Sequence, residues 1–538
     1  MISDTTQLRR WIYHGIIVIA FAITCGRIAS VQRIYEPAFH RDPAKKDDRR
    51  PVWPSTRPDA MPMFGSNDRA RWATIRALVH ESSYVIGKRD PANNVASVVA
   101  VIGTTDPIGA ASLYQAGNDF RTDVSNPLSH SGIIFKPKLR EHGWATIDRV
   151  LNPDTLEFYS SKPPFLSTIL AGIYWVFFNI FHLSLIEQPT IVVRMMLILV
   201  NALPFAVYLW LLTQIAERWG RTDWGKLYIV AAGAFATAVS PFLITLSNHT
   251  VAAFAVMLAW WSVLCVWDSV SRQETPCWCH FASAGLFSFF AAATEMPALS
   301  FAMACFVLLS WWRPLPTLVF FVPMALVPVV FFFATNYIAL GQLKPVQAEF
   351  ASEWYEYEGS HWMPPPEGQK KYGIDWARRG KSELAEEWPD YALHVLVGHH
   401  GLFSLTPIWL LALAGMIVGS LRFPSMLRQA FFKETGDFPW FVQPLGLALT
   451  TVVIAFYLVR SDNYGGFTNG LRWLMWLTPI WLTCLLPVVD WLGNWRAGRW
   501  LAGLLLAISV FSMNYQLWSP WRHPWIFDLM IEMGWPGY

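Results

Sequence analysis

Asp68 and Arg71 stand three residues apart in Asn67-Asp68-Arg69-Ala70-Arg71-Trp72-Ala73-Thr74-Ile75-Arg76-Ala77-Leu78-Val79. On a helix that spacing puts an acid and a cation on neighbouring positions of one face. A carboxylate so placed has two uses. It caps its helix, where the dipole favours negative charge, or it takes a proton from a hydroxyl within hydrogen-bond reach. Other cations lie beside apolar runs: Lys162 before Pro163-Pro164-Phe165, Arg194 in Val192-Val193-Arg194-Met195, and Arg472 in Gly470-Leu471-Arg472-Trp473. Such cations either extend to lipid headgroups or hold an anionic group, which they stabilise most where water is excluded. Asn248 and His249 share one polar turn, and Glu295 ends an apolar run before Pro297. Glu295 suits a sugar or metal contact as well as a solvated place at headgroup level. His399 and His400 suit metal or substrate binding, or a plain polar loop, and Asp148 and Asp154 offer second carboxylates upstream of Lys162. Cys277 and Cys279 flank one Trp, a spacing that favours a bland interfacial pair over a metal site.

The elements that position these residues are set by hydropathy. The 538-residue chain is 54% hydrophobic and 15% charged, with mean hydropathy +0.31, where soluble domains carry about 25% charge. Apolar runs near the roughly 20 residues of a spanning helix recur from Trp11 to Leu517. This predicts an all-α polytopic membrane protein with about eleven transmembrane helices. Thirty Trp, many near the ends of apolar runs, suit interfacial anchoring. A net charge of +3 without a basic block argues against nucleic acid as a partner. Six Cys form no framework, and both large polar loops lack them, so no disulfide is expected there. The first run follows Arg9 and Arg10 and has no good small-residue cleavage site, so it reads as a retained anchor.

Sidedness follows from the cations. With the N-terminus in the cytoplasm and a first span over 11–30, the next spans fall near 190–214, 227–246, 250–270, 279–295, 297–312, 315–337, 402–420, 440–459, 471–489 and 499–517. The inside loops then hold Arg218, Arg221 and Lys226; Arg272; Arg313; Arg422, Arg428 and Lys433; and Arg496 with Arg499. Every one is basic, as the positive-inside rule asks. Counting 164–185 as a span would reverse all of them. It therefore reads as a helix at the outer membrane face, started by the double proline. The C-terminus lies outside.

Three parts result: residues 1–337, a membrane module with a large first extracytoplasmic loop (31–189); a second such loop, 338–401; and membrane helices over 402–538. The second loop carries Glu353-Trp354-Tyr355-Glu356-Tyr357-Glu358 and Pro364–Pro366, suited to sugar contact or to a lid. Residues 42–59 read as polar linker.

Asp68, Arg71, Trp72 and Ala73 after the first span, then Lys162, Pro163, Pro164 and Phe165 before the second, resemble the integral-membrane glycosyltransferases of the GT-C superfamily. The likeness is to the protein O-mannosyltransferase and aminoarabinose (lipid A) transferase branch, with its D-E-x-R-Y-A-like helix and (K/H)-P-P-L helix. Arg194, His400-Gly401-Leu402-Phe403-Ser404-Leu405-Thr406-Pro407 and Asn463-Tyr464-Gly465-Gly466…Gly470-Leu471-Arg472-Trp473 are similar to later motifs, so the resemblance covers about residues 60–480. It implies a GT-C-like fold in a cytoplasmic, bacterial inner membrane. It also implies inverting transfer of a sugar from a polyprenyl-phosphate donor to a lipid, protein or glycan acceptor on the extracytoplasmic side. Asp68 would be the base, and Lys162, Arg71, Arg472 and Arg194 would hold the donor phosphate. Arg69 and Ser161 stand where relatives carry acids, which leaves a divalent cation open. A flippase of lipid-linked intermediates would show mid-bilayer charges and paired repeats, and neither is present; an inactive membrane scaffold is the third alternative.

Overall fold

The computed structural model describes residues 4–34, 60–89, 133–134, 144, 146–349, 352–357, 360, 362, 388–431, 438–461, 464–466 and 468–534. Asn463, Glu358, Pro364–Pro366, the linker 42–59 and the side chains of Arg428 and Lys433 lie outside that set. Among the described residues helices dominate, 73% against 3% strand. Among the described residues eight are long and apolar enough to cross a membrane: Thr6–Ser30, Pro189–Trp219, Asp223–Phe242, Asn248–Ser271, Pro314–Leu340, Val442–Arg460, Arg472–Leu492 and Arg496–Asn514. That set is compatible with a multi-pass membrane protein. Met296–Trp312 and Ile408–Arg422 are shorter apolar helices, and Trp278–Thr294 has 17 residues.

Prolines shape several of these. Pro204 has no N–H to give its helix, and the ladder loosens into a π turn at Ile198–Ala202 just before it. Pro407 parts the short turn Leu402–Leu405 from the helix starting at Ile408.

The chain forms two compact units. The first comprises Met1–Arg27, Ile198–Val330 and Gly380–Tyr538. Its central helices are Arg472–Leu492 and Asn248–Ser271, 83% and 78% buried over their apolar windows, whereas Val442–Arg460 buries only 28%. The difference separates helices packed on all sides from one that shows a wide apolar face outward. Close approach is built in at Gly285, where a Cβ would stand 2.2 Å from the Phe321 carbonyl oxygen. Buried Asp490 accepts from Arg221 N (2.8 Å), Thr222 N (2.9 Å) and Thr222 Oγ1 (2.6 Å), which satisfies the donors ahead of helix Asp223–Phe235.

The second unit comprises Ile28–Leu197 and Phe331–Arg379, so parts of both predicted extracytoplasmic loops fold together. It contains β1 (Arg33–Ile34) paired with β2 (Ala60–Met61), and a small antiparallel sheet the sequence did not announce. Its strands are β3 (Gly87–Arg89), β4 (Ile133–Ile134), β5 (Arg149–Leu151) and β6 (Glu157–Ser160), in order β4-β3-β6-β5. In the β5–β6 hairpin Arg149 faces Ser160 and Val150 faces Tyr159. Helix α2 (Ser66–Glu81) covers the predicted amphipathic segment, and α3 (Pro164–Asn179) starts at the double proline as expected. At 16 residues α3 is about 24 Å long, short of a bilayer core of about 30 Å. Helix α2 departs from the expected one-sided pattern. Ser66 and every residue from Asp68 to Ala77 are buried, Arg69, Arg71 and Arg76 included, while Leu78 and Val79 are half-buried.

Candidate active site

In the second unit, chain entry into α2 fixes Asp68. Gly65 precedes the helix in an extended conformation, which puts Asp68 in the first turn. The carboxylate, 1% exposed, accepts from Phe64 N at 3.0 Å and from the Trp72 indole N–H, one turn on, at 2.9 Å. It thus closes a loop of chain onto a fully buried tryptophan. Arg71 Nη1 donates to the Asn67 carbonyl at 3.0 Å and also meets the Asn67 side-chain oxygen. Arg76 pairs with Glu81 at 2.7 Å.

Lys162 is the last residue before Pro163, which caps α3. Its ammonium meets Asp148 Oδ1 at 2.8 Å, both side chains being largely buried. Asp148 also accepts from the Ser161 hydroxyl at 3.4 Å, and its backbone N–H donates to Thr146 Oγ1 at 3.1 Å. Thr146 in turn donates to the Ser66 carbonyl at 2.8 Å. A continuous bonded path therefore joins Lys162 to the first residue of the Asp68 helix. Arg149, not anticipated from sequence, lies beside this path: Nη1 donates to Thr146 O at 2.9 Å and Nε to the Tyr357 hydroxyl at 3.3 Å. The second loop joins here as well, because Leu151 N donates to Trp354 O at 2.9 Å, and Tyr355 and Tyr357 are buried.

A crevice of about 240 Å³ is lined by Thr74, Tyr84, Tyr159, Ser160, Lys162 and Val346, among others. Its enclosed room holds about one water molecule. Burial pushes the Tyr84 phenol up, and burial with the Glu157 carboxylate pushes Tyr159 up to about 12. Tyr355 is raised by burial and by the Asp148 and Glu349 charges. All three stay protonated at neutral pH and present hydroxyl donors. The remaining predictions in this unit are not drawn to Lys162 by a described contact. Asp154 sits in the exposed β5–β6 turn, its N–H bonded to Asn152 Oδ1. Arg194 Nη2 donates to Val31 O at 3.1 Å, at the end of α1 (Asp4–Ser30), and its buried Nε has no hydrogen-bond partner among the described residues.

The first unit holds the other predicted residues in two groups. Glu295, the residue ending helix Trp278–Thr294, meets His249 Nδ1 at 2.6 Å and the Asn248 amide, which also donates to Thr294 O at 3.1 Å. Three residues from two separate turns thus converge, with Glu295 and His249 each 6% exposed. Tyr457 is within electrostatic reach of both Glu295 and Arg472. Arg472 lies 4.8 Å over the Trp521 ring. Beside it, His400 stacks on Tyr464 at 4.5 Å, contacts His399 through the Nδ1 atoms and approaches His523 at 3.5 Å. His394 stacks on His399 at 4.0 Å. Burial and the neighbouring imidazoles hold His400 well below the usual range and lower His523 to about 4, so these two rings are neutral at pH 7. Among the described residues no group of three or more His, Cys, Asp or Glu is arranged to hold a metal ion. Cys277 and Cys279 are exposed free thiols, with Cys277 Sγ accepting from Cys279 N at 3.4 Å.

No family model matches the chain, and no curated protein is significantly similar to it.

Proposed function

We propose that the protein is a membrane glycosyltransferase of the GT-C kind, moving a sugar from a polyprenyl-phosphate donor to an acceptor hydroxyl outside the cytoplasmic membrane, with inversion. The observation that carries this reading is the bonded path from Lys162 through Asp148 and Thr146 to Ser66, two residues ahead of the buried Asp68. It fixes an acid and a cation, 94 residues apart in the chain, in one compact unit. Asp68 accepts from Phe64 and Trp72 through one lone pair on each oxygen, and in this scheme its carboxylate takes the proton of the attacking hydroxyl. Lys162 takes the charge that develops on the departing lipid phosphate, with Asp148 holding it until the donor arrives. Arg71, on the turn after Asp68, is the next phosphate ligand in this scheme. The crevice beside Lys162 is too tight for a sugar as it stands, so donor entry requires its lining to move. Arg472, Asn248, His249, Glu295 and His400 are assigned no step.

The test is turnover of polyprenyl-phosphate sugars by the purified chain in lipid nanodiscs, followed by release of the lipid phosphate. Lys162→Met is expected to slow release at least about a hundredfold, a loss of roughly 2.7 kcal/mol in barrier lowering. If the wild-type protein releases lipid phosphate from none of these donors, or if Lys162→Met releases it unchanged, the reading fails.

A further inference from the structure

Helix Trp278–Thr294 in the first unit opens on two cysteines that the proposed transfer does not use. Cys277 is the N-cap, in an extended conformation, and Cys279 lies in the first turn. Thr222 and Ser247 cap two other helices of this unit through oxygen. Sulfur is a weak acceptor, so a cysteine contributes little as a cap alone. The Cys277 side chain turns back over the helix start, where its Sγ accepts from the Cys279 N–H at 3.4 Å and from the Cys279 thiol. The two sulfurs are thus within hydrogen-bonding reach of each other. Trp278 between them is helical, which sets the two Cα atoms about 5.4 Å apart, inside the roughly 4.4–6.8 Å that a disulfide spans. Both thiols are free and exposed, and the turn ahead of them, 272–275, is exposed and polar. A water-borne reagent therefore has access.

The two sulfurs are not equivalent. Hydrogen bonds from the Cys279 thiol and N–H hold the Cys277 thiol below its usual value, and the positive end of the helix dipole acts in the same sense. Cys277 is the nucleophile of the pair, while Cys279, the donor, keeps its proton. Among the described residues no third His, Cys, Asp or Glu joins them in an arrangement that could hold a metal ion. Cys265, on helix Asn248–Ser271, is within electrostatic reach of Cys279 but is only partly exposed. We propose that Cys277 and Cys279 form a reversible redox site, in which Cys277 attacks a low-molecular-weight disulfide and Cys279 closes a Cys277–Cys279 disulfide. The first attack forms a bond from Cys277 Sγ to one sulfur of the reagent and breaks the reagent's S–S bond, releasing one thiolate. Cys279 then gives its proton to water, and its sulfur attacks Cys277 Sγ and expels the second thiolate. The protein loses two electrons and two protons, and the reagent leaves as two thiols. A disulfide closed at so exposed a turn is labile, so excess small thiol reopens it.

The experiment exposes the reduced full chain in lipid nanodiscs to glutathione disulfide at pH 7, blocks the remaining thiols by alkylation and maps them by mass spectrometry. The wild-type peptide carrying both residues should lose two hydrogens, and excess glutathione should restore them. Cys279→Ser should stop with glutathione on Cys277. Cys277→Ser should slow reaction at Cys279 at least about tenfold, since the activated sulfur is gone. Both changes are at exposed positions and should leave the Tm unchanged, which separates lost reactivity from lost folding. A wild-type chain that stays reduced, that stops at a glutathione adduct, or that joins Cys279 to Cys265 overturns the proposal. So does a Cys277→Ser chain whose Cys279 reacts at the wild-type rate. No sugar donor is present in this assay, so its outcome is independent of the transferase reading.

Discussion

Asp68 is the residue at which stability and chemistry can be separated by measurement. Its carboxylate serves two donors that water cannot reach, the indole N–H of Trp72 (0% exposed) and the N–H of Phe64 (9% exposed). Hydrogen bonds to a charged group contribute about 1.5–3 kcal/mol each, and a buried donor left without an acceptor costs about 1–3 kcal/mol. Asp68→Ala removes both acceptors, so about 2–6 kcal/mol of stability should be lost. Asp68→Asn keeps one carbonyl oxygen but turns an amide N–H₂ toward the second donor, which limits the loss to about 1–3 kcal/mol. A general base contributes about 10²–10⁴-fold to rate. Asp68→Asn should therefore retain its fold below a lowered Tm and yet transfer sugar at least about a hundredfold more slowly. Unfolding in nanodiscs gives the first number and donor turnover the second. An Asp68→Ala protein within about 0.5 kcal/mol of wild type would refute the hydrogen-bond account. An Asp68→Asn protein that turns over at the wild-type rate would refute the base assignment, leaving Asp68 as a cap that ties the Phe64 backbone to Trp72.

Three other perturbations test the packing and the first unit. Gly285→Ala should cost about 1–3 kcal/mol by overpacking, because its Cβ would enter the Phe321 backbone at 2.2 Å; the same change at Gly172, which has open space around it, should not destabilise. His523 is held near 4 by burial, against 6.5 in the unfolded chain. Between those values the unfolded state binds more protons, so stability should fall as pH drops from about 6.5 toward 4, and His523→Gln should flatten that slope in melts taken at pH 7, 5.5 and 4.5. Glu295→Ala removes the acceptor that His249 and Asn248 share, which should cost about 1–3 kcal/mol of stability; an unfolding free energy within about 0.5 kcal/mol of wild type would show that the contact contributes nothing.

Much of the helical layout was readable because hydropathy acts locally: each apolar run of sufficient length must satisfy its own backbone. Asp68 in a first turn and the α3 start after Lys162 were readable for the same reason, as capping and proline rules depend on a few neighbours. Asn248 with His249 in one turn, and Glu295 at a helix end, were each readable from local polarity, but their meeting was not and shows only in the fold. Apart from Asp148, expected as a carboxylate upstream of Lys162, sequence did not announce the Thr146–Arg149 segment. Its strands have three and four residues, too few for a period-two pattern to register. Its partners, Ser66, Lys162 and Tyr357, come from three distant parts of the chain. Arg194 lies in the helix that begins at Pro189, yet its bond to Val31 O depends on the end of a helix more than 160 residues earlier.

The charge balance of the second unit links these observations. Arg69, Arg71, Arg76 and Arg149 are all at most 5% exposed, and each guanidinium taken from water costs several kcal/mol before its contacts are counted. Arg76 recovers part of that from Glu81 at 2.7 Å, and Arg71 has hydrogen bonds to Asn67 without a charge of opposite sign in them. Arg149 has neutral acceptors, and Asp148 is already taken by Lys162. On this argument Arg149 bears a desolvation cost that no opposite charge among the described residues offsets, and Arg149→Gln should leave stability unchanged or raise it.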